Sequence, residues 1–186
     1  MKMAKITAVS GSGPLMALAK LGVLYRVFSI YPTFIISETV YHEVVTSGLV
    51  IGARDAMEVG KFCRSGEIVI FRSGEIKEVP LDTPSELHRG ELETIRLALQ
   101  ISADCLFIDD FDARQVAETN LWNARKKSAA TTVKGTLGVL IELYQRELLS
   151  RSQLKECLGE IKKRKDIWIS SRLCQKLIYA LEDGDL

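Results

Sequence analysis

Short apolar runs alternate with stretches of helical period along most of this chain. Lys5–Ser10 reads as a short strand and Thr33–Ile36 as a second, buried one. Between them Pro14 sits at the first position of a helix, Pro14–Leu21, where its missing N–H costs nothing, with Ser12 or Gly13 as cap. Ser37 is placed to cap a helix running through Val45, with Glu38 favourable in its first turn. Ala53–Cys63 reads as helical. Ile68–Phe71 and Ile76–Val79 read as short strands around Ser73-Gly74, a turn signal. Pro80–Glu86 is a loop containing two prolines. Gly90–Ile101 has apolar residues at 92, 95, 97, 98, 99 and 101, which predicts a largely buried helix. Cys105–Ile108 is a strand bounded by acids, and Ala113–Thr119 starts another helix with Asp112 near its N-terminus. Helical stretches follow at Thr136–Gln145, Gln153–Lys162 and Ser171–Leu181, the last capped by Ser170.

This alternation predicts an α/β architecture with a mostly parallel central sheet flanked by helices. Ligands of such sheets bind beyond the carboxyl ends of the strands. Asp109 and Asp110 end one predicted strand, and Glu91 and Glu93 open the helix before it. Carboxylates so placed suit Mg²⁺ or Mn²⁺, hard cations that take oxygen ligands. Without a metal, carboxylates sharing one site repel one another and raise the pKa of at least one. Each acid also has a structural role open to it. An Asp at the strand end can cap the next helix, Glu91 can favour a first helical turn, and Glu43 can be an exposed helix acid. Glu93 points elsewhere around its helix.

Composition narrows the field. The chain has 186 residues, 47% hydrophobic and 26% charged, as in an ordinary globular protein. A formal net charge of +1 exerts no global pull on nucleic acid, so any such surface must be local. Two basic runs qualify, Arg125-Lys126-Lys127 and Lys162-Lys163-Arg164-Lys165, although charge runs are commonly solvated surface. Cys63, Cys105, Cys157 and Cys174 form no CxxC pair, so reduced thiols in a cytoplasmic setting are expected. No apolar run approaches the ~20 residues of a membrane span, and Ser-Gly-Ser-Gly-Pro breaks the N-terminal apolar stretch where a signal peptide would need it. His88 reads as a loop residue or a phosphate contact. Trp122 and Trp168 read as core or interface aromatics.

Four pieces in order resemble the PIN-domain ribonucleases, and among them the VapC-like subgroup. They are AVSGSGPLMALAKLG, FIISETVYHEVV, HRGELETIRLAL, and CLFIDDFDARQVAE with VKGTLGVLIELYQRELL. The resemblance covers about residues 5–150. It implies a three-layer PIN-like domain over 1–150, with 151–186 a helical extension packed on the same domain. It further implies a Mg²⁺- or Mn²⁺-dependent endoribonuclease, the toxin of a toxin–antitoxin pair. RNA would be substrate, an antitoxin would be partner, and two copies would dimerise through apolar surfaces near Leu18–Val27 and Val40–Val44. By position Glu43, Glu91, Asp109 and Asp110 match the catalytic, metal-holding acids, with Glu93 as a lesser alternative. Arg125, Lys126 and Lys127, in a longer loop over Asn123–Thr132, would contact RNA.

One departure bears on activity. The family's first acid ends the first strand, and here that position is Gly11, between Ser10 and Ser12. A serine hydroxyl or water fills such a coordination place poorly. The second reading is therefore a catalytically degenerate PIN-fold protein that binds RNA or a protein partner. A small-molecule-binding α/β domain is a third.

Overall fold

The structure is a computed structural model that describes residues 6–83, 86–124 and 131–184. In chain order the elements are β1 (Thr7–Ser10), α1 (Ser12–Lys20), α2 (Leu24–Val27), β2 (Thr33–Ser37), α3 (Glu38–Tyr41), a π turn (His42–Thr46), α4 (Ser47–Val50), α5 (Arg54–Ser65) and β3 (Ile68–Phe71). A 3₁₀ turn (Ser73–Glu75) precedes α6 (Arg89–Ile101), β4 (Cys105–Phe107), α7 (Phe111–Ala124), β5 (Thr132–Lys134), α8 (Thr136–Gln145), α9 (Arg151–Lys163) and α10 (Ser171–Asp183).

The five strands form one sheet in the order β3-β2-β1-β4-β5, and every neighbouring pair is parallel. Because side chains alternate across a strand, β1, β2 and β4 each feed two cores. Ala8, Phe34, Ile36, Cys105 and Phe107 face one, with α1, α2, α3 and α8. Val9, Ile35, Leu106 and Ile108 face the other, with α6 and α7. Buried on both sides, the central strands are uninterrupted apolar runs. Helices thus flank a parallel sheet, as the alternation predicts. α9 and α10 add Leu154, Leu158, Ile161, Cys174 and Leu181 to the first core.

Several local expectations differ from the structure. Ile76–Val79 forms no strand. Ile76 is buried in the second core, but β3 pairs in parallel with β2, so Ser73-Gly74 joins no hairpin. β5 lies partly in the stretch read as a loop, because three residues are too few to show an alternating pattern. α1 begins at Ser12, which places Pro14 third rather than first. Most of the large aliphatic residues in the stretches expected to dimerise are interior, while Tyr25 in the first of them is half exposed. Leu18, Leu24, Val27 and Val40 are fully buried and Val44 nearly so. Among the described residues the most exposed aliphatic side chains are Val50 and Ile51, at 83% and 82%.

One polar network pins the β5–α8 corner against the sheet. The Tyr31 hydroxyl donates to Glu142 Oε2 at 2.6 Å and Lys134 Nζ donates to the same oxygen at 2.7 Å. Burial, then its bond to Glu142, pushes the Tyr31 hydroxyl well above its ordinary pKa. Burial raises Glu142 too, but the bonds from Lys134 and Tyr31 outweigh it and hold the carboxyl below its ordinary range. A depressed acid stabilises the fold above its unfolded pKa and is lost as pH falls through the folded value. Glu142→Ala should therefore cost about 1–2 kcal/mol at pH 7, since the buried Tyr31 hydroxyl and the half-buried Lys134 ammonium lose their shared acceptor and keep the bond between them. In urea melts the gap should narrow as pH drops below 4.5, the ordinary value.

Candidate functional site

Sheet order reverses between β1 and β4, the switch point where open α/β sheets take ligands. A cleft of about 720 Å³ opens there, lined by Gly11 and Ser12 after β1 and by Asp109, Asp110 and Phe111 after β4. The π turn brings Glu43 to it, the start of α6 brings His88 and Glu91, and the turn between α9 and α10 brings Trp168. The fold thus gathers Glu43, Glu91, Asp109 and Asp110 along one cleft.

The four carboxylates are already engaged. Both oxygens of Asp109 accept from Thr136, Oδ1 from its N–H at 2.7 Å and Oδ2 from its hydroxyl at 2.6 Å. This ties the end of β4 to the first residue of α8, whose unpaired N–H groups favour an anion. Asp110 Oδ1 accepts from Ala113 N–H at 2.8 Å and so caps α7. Glu91 Oε2 accepts from His88 N–H at 2.9 Å, closing the start of α6. Glu43 accepts from the Ser12 hydroxyl. Its carboxylate lies against Gly90, where an added Cβ would stand 2.6 Å from Oε1, so a larger residue at 90 would push the Glu43 carboxylate aside.

Glu93 and Ser10 lie elsewhere. Glu93 is buried behind α6, accepting from Arg89 Nε and the Ser73 hydroxyl, each at 2.8 Å. Burial raises its pKa, but hydrogen bonds from Thr39, Arg89 and Ser73 bring it below the ordinary value. Ser10 is buried and its hydroxyl donates to Gly11 O at 3.0 Å. Arg125, Lys126 and Lys127 fall outside the described residues.

Asp109 has a raised pKa, and the cause is burial. Thr136 and Arg114 pull it down, and no neighbouring carboxylate contributes. The expectation of mutual repulsion between site acids is thereby corrected: the acids do not crowd one another. A raised acid favours the fold in its protonated form, so its contribution is full below the unfolded pKa and is lost as pH rises through the folded one. Asp109→Asn removes that burial cost, and an amide can still accept from the Thr136 N–H and donate to its hydroxyl. The variant should melt at or above the parent temperature at pH 7–8, and its advantage should shrink towards pH 4.

Sequence reasoning missed Thr136, Arg114, Phe111 and the cleft position of Trp168. Gly135 is the one usable signal. A Cβ there would run into the Arg114 guanidinium and stand 2.8 Å from Asp109 Oδ1, so glycine marks the close packing around Asp109. Gly11 is different. Its backbone is extended, with φ −78° and ψ 174°, and an added Cβ would meet Phe107 O at an ordinary 3.5 Å. A side chain can therefore start from this position without backbone strain.

A family profile described as a PIN domain matches residues 7–183. The chain belongs to this family. No curated protein and no solved structure matches it. Membership carries the three-layer reading of the sheet, but it does not carry the metal chemistry over to this PIN domain. Among the described residues no three of His, Cys, Asp or Glu stand where they could share a metal ion. The expected Mg²⁺ or Mn²⁺ cofactor, and with it the metal-dependent ribonuclease, phosphodiesterase and toxin readings, are overturned. The physical reason is visible at each acid: Gly11 offers no carboxylate, and the others brace helix starts or the Ser12 hydroxyl. No helix among the described residues is long and apolar enough to cross a membrane.

Proposed function

We propose that this PIN domain is a non-catalytic binding protein whose cleft accepts a cationic segment of a protein partner. The observation that carries this reading is four carboxylates lining one cleft without converging on a shared metal position. Such a lining repels RNA phosphates when no cation stands between them. It attracts positive charge spread along a chain, which can meet separated acids one at a time. The order of the four motifs supports descent from VapC-like proteins with the first-strand acid replaced by Gly11.

Calorimetric titration tests the reading. A peptide carrying two or three Arg or Lys residues should bind, and raising salt from about 0.05 to 0.5 M should weaken it at least roughly tenfold through screening. An acidic peptide and a single-stranded RNA oligonucleotide should not bind. RNA binding with no response to the basic peptide would overturn the proposal.

A further inference from the structure

We infer that Trp168, supplied by the turn between α9 and α10, is a stacking platform that makes the cleft select a guanidinium over an ammonium group. This inference rests on the proposed binding of a cationic segment. Trp168 is 93% exposed and yet lines the cleft mouth. Its neighbours explain how it is held there without being covered. Ile167 is buried, and Ile169 packs partly against the same core, so the residue between them is turned outward. Two residues earlier, Asp166 accepts from Arg164 through Nε at 2.9 Å and Nη2 at 2.8 Å. Lys20, at the end of α1, bonds Asp166 O at 2.9 Å and Oδ2 at 3.1 Å. The same helix opens at Ser12 in the cleft, so α1 ties the turn to the site. Phe111, also lining the cleft, is 69% exposed.

An uncovered indole that lines the same cleft as four carboxylates suits a cation, because Trp presents the most favourable ring face to positive charge. The shape of the cation decides between the two basic side chains. A guanidinium is planar, stacks on rings, is weakly hydrated and presents five donors in a fork. It can lie on the indole while its edge donates to a carboxylate. A compact, strongly hydrated ammonium gains little from the ring.

The test uses the full chain with Trp122→Phe, which leaves Trp168 as the sole indole reporter. The probes are the peptide amide Gly-Arg-Ala-Arg-Gly, its Lys counterpart and a single-stranded RNA oligonucleotide. The Arg peptide should change Trp168 emission and bind more tightly than the Lys peptide. Trp168→Ala, read by calorimetry, should weaken the Arg peptide roughly three- to tenfold and the Lys peptide less than twofold. Trp168→Phe should fall between. Lys20→Ala, which frees the turn, should weaken the Arg peptide while the indole is still present. If both peptides bind equally and Trp168→Ala changes neither, this inference is overturned and the proposed function stands. If neither peptide binds, the proposed function fails and takes the inference with it. Trp168 emission responding to RNA alone would mark a nucleobase platform and overturn both.

Discussion

Phe107→Ala should lose about 3–5 kcal/mol of folding stability, the usual cost of removing a fully buried aromatic side chain. For a chain of this size that is a fall of about 10–15 °C in melting temperature. Phe107 is wholly buried and meets Tyr31 and Phe34 edge-on, with ring centroids 5.3 and 5.7 Å away. Its carbonyl accepts from Gly11 N–H at 2.9 Å, the bond that sets the end of β1 against β4. The cavity left by the ring opens in the first core, against Tyr31 and Phe34, in a strand whose end reaches the cleft, so binding should suffer along with stability. Differential scanning calorimetry measures the first effect. A loss under about 1.5 kcal/mol, the range of mild core trimming, would mean that the two strands are held mainly by other contacts.

Glu43→Lys should have the largest effect on binding with little effect on folding. Glu43 is exposed, and it accepts a hydrogen bond from the Ser12 hydroxyl. It caps no helix. Reversal should shift stability by no more than about 1 kcal/mol, mostly from placing a cation near the first turn of α6. For a basic peptide it removes a charge-assisted contact of about 1.5–3 kcal/mol and adds repulsion. The expected outcome is a loss of at least roughly thirtyfold in affinity at low salt, shrinking as salt screens the charge. Glu43→Gln should fall between the two. Parent-like affinity in Glu43→Lys would move the binding surface away from this cleft.

The fold was largely legible because its signals are local. Apolar runs at Thr33–Ile36, Ile68–Phe71 and Cys105–Ile108 contain β2, β3 and β4 nearly to the residue. The Ser37 cap is present, accepting from Val40 N–H at 3.2 Å, and Ser170 stands at the start of α10. Less legible were pieces whose identity depends on neighbours. β5 exists because β4 offers it a parallel edge, and Ile76 is buried without a strand. Leu18, Leu24, Val27 and Val40 read as parts of a surface for a second copy, but the chain's own core takes them in. Periodicity shows that a face is apolar and not what will cover it.

For the site the same division runs through single residues. Sequence order alone brought Glu43, Glu91, Asp109 and Asp110 to one end of a parallel sheet, since strand ends and helix starts meet there by topology. Sequence also shows that Gly11 brings no carboxylate, which by itself weakens a metal site. Only the tertiary structure decided what each acid faces. Asp109 meets Thr136 across 27 positions and Glu43 meets Ser12 across 31, and no local pattern encodes such pairings. It also took Trp168, which reads as a core or interface residue, and set it almost bare at the mouth of the cleft, because the residues on either side of it are the ones packed on the core. Side-chain type and spacing depend on the nearest few residues along the chain, whereas convergence on a shared ion or ligand depends on distances of a few ångströms between segments that only packing brings together.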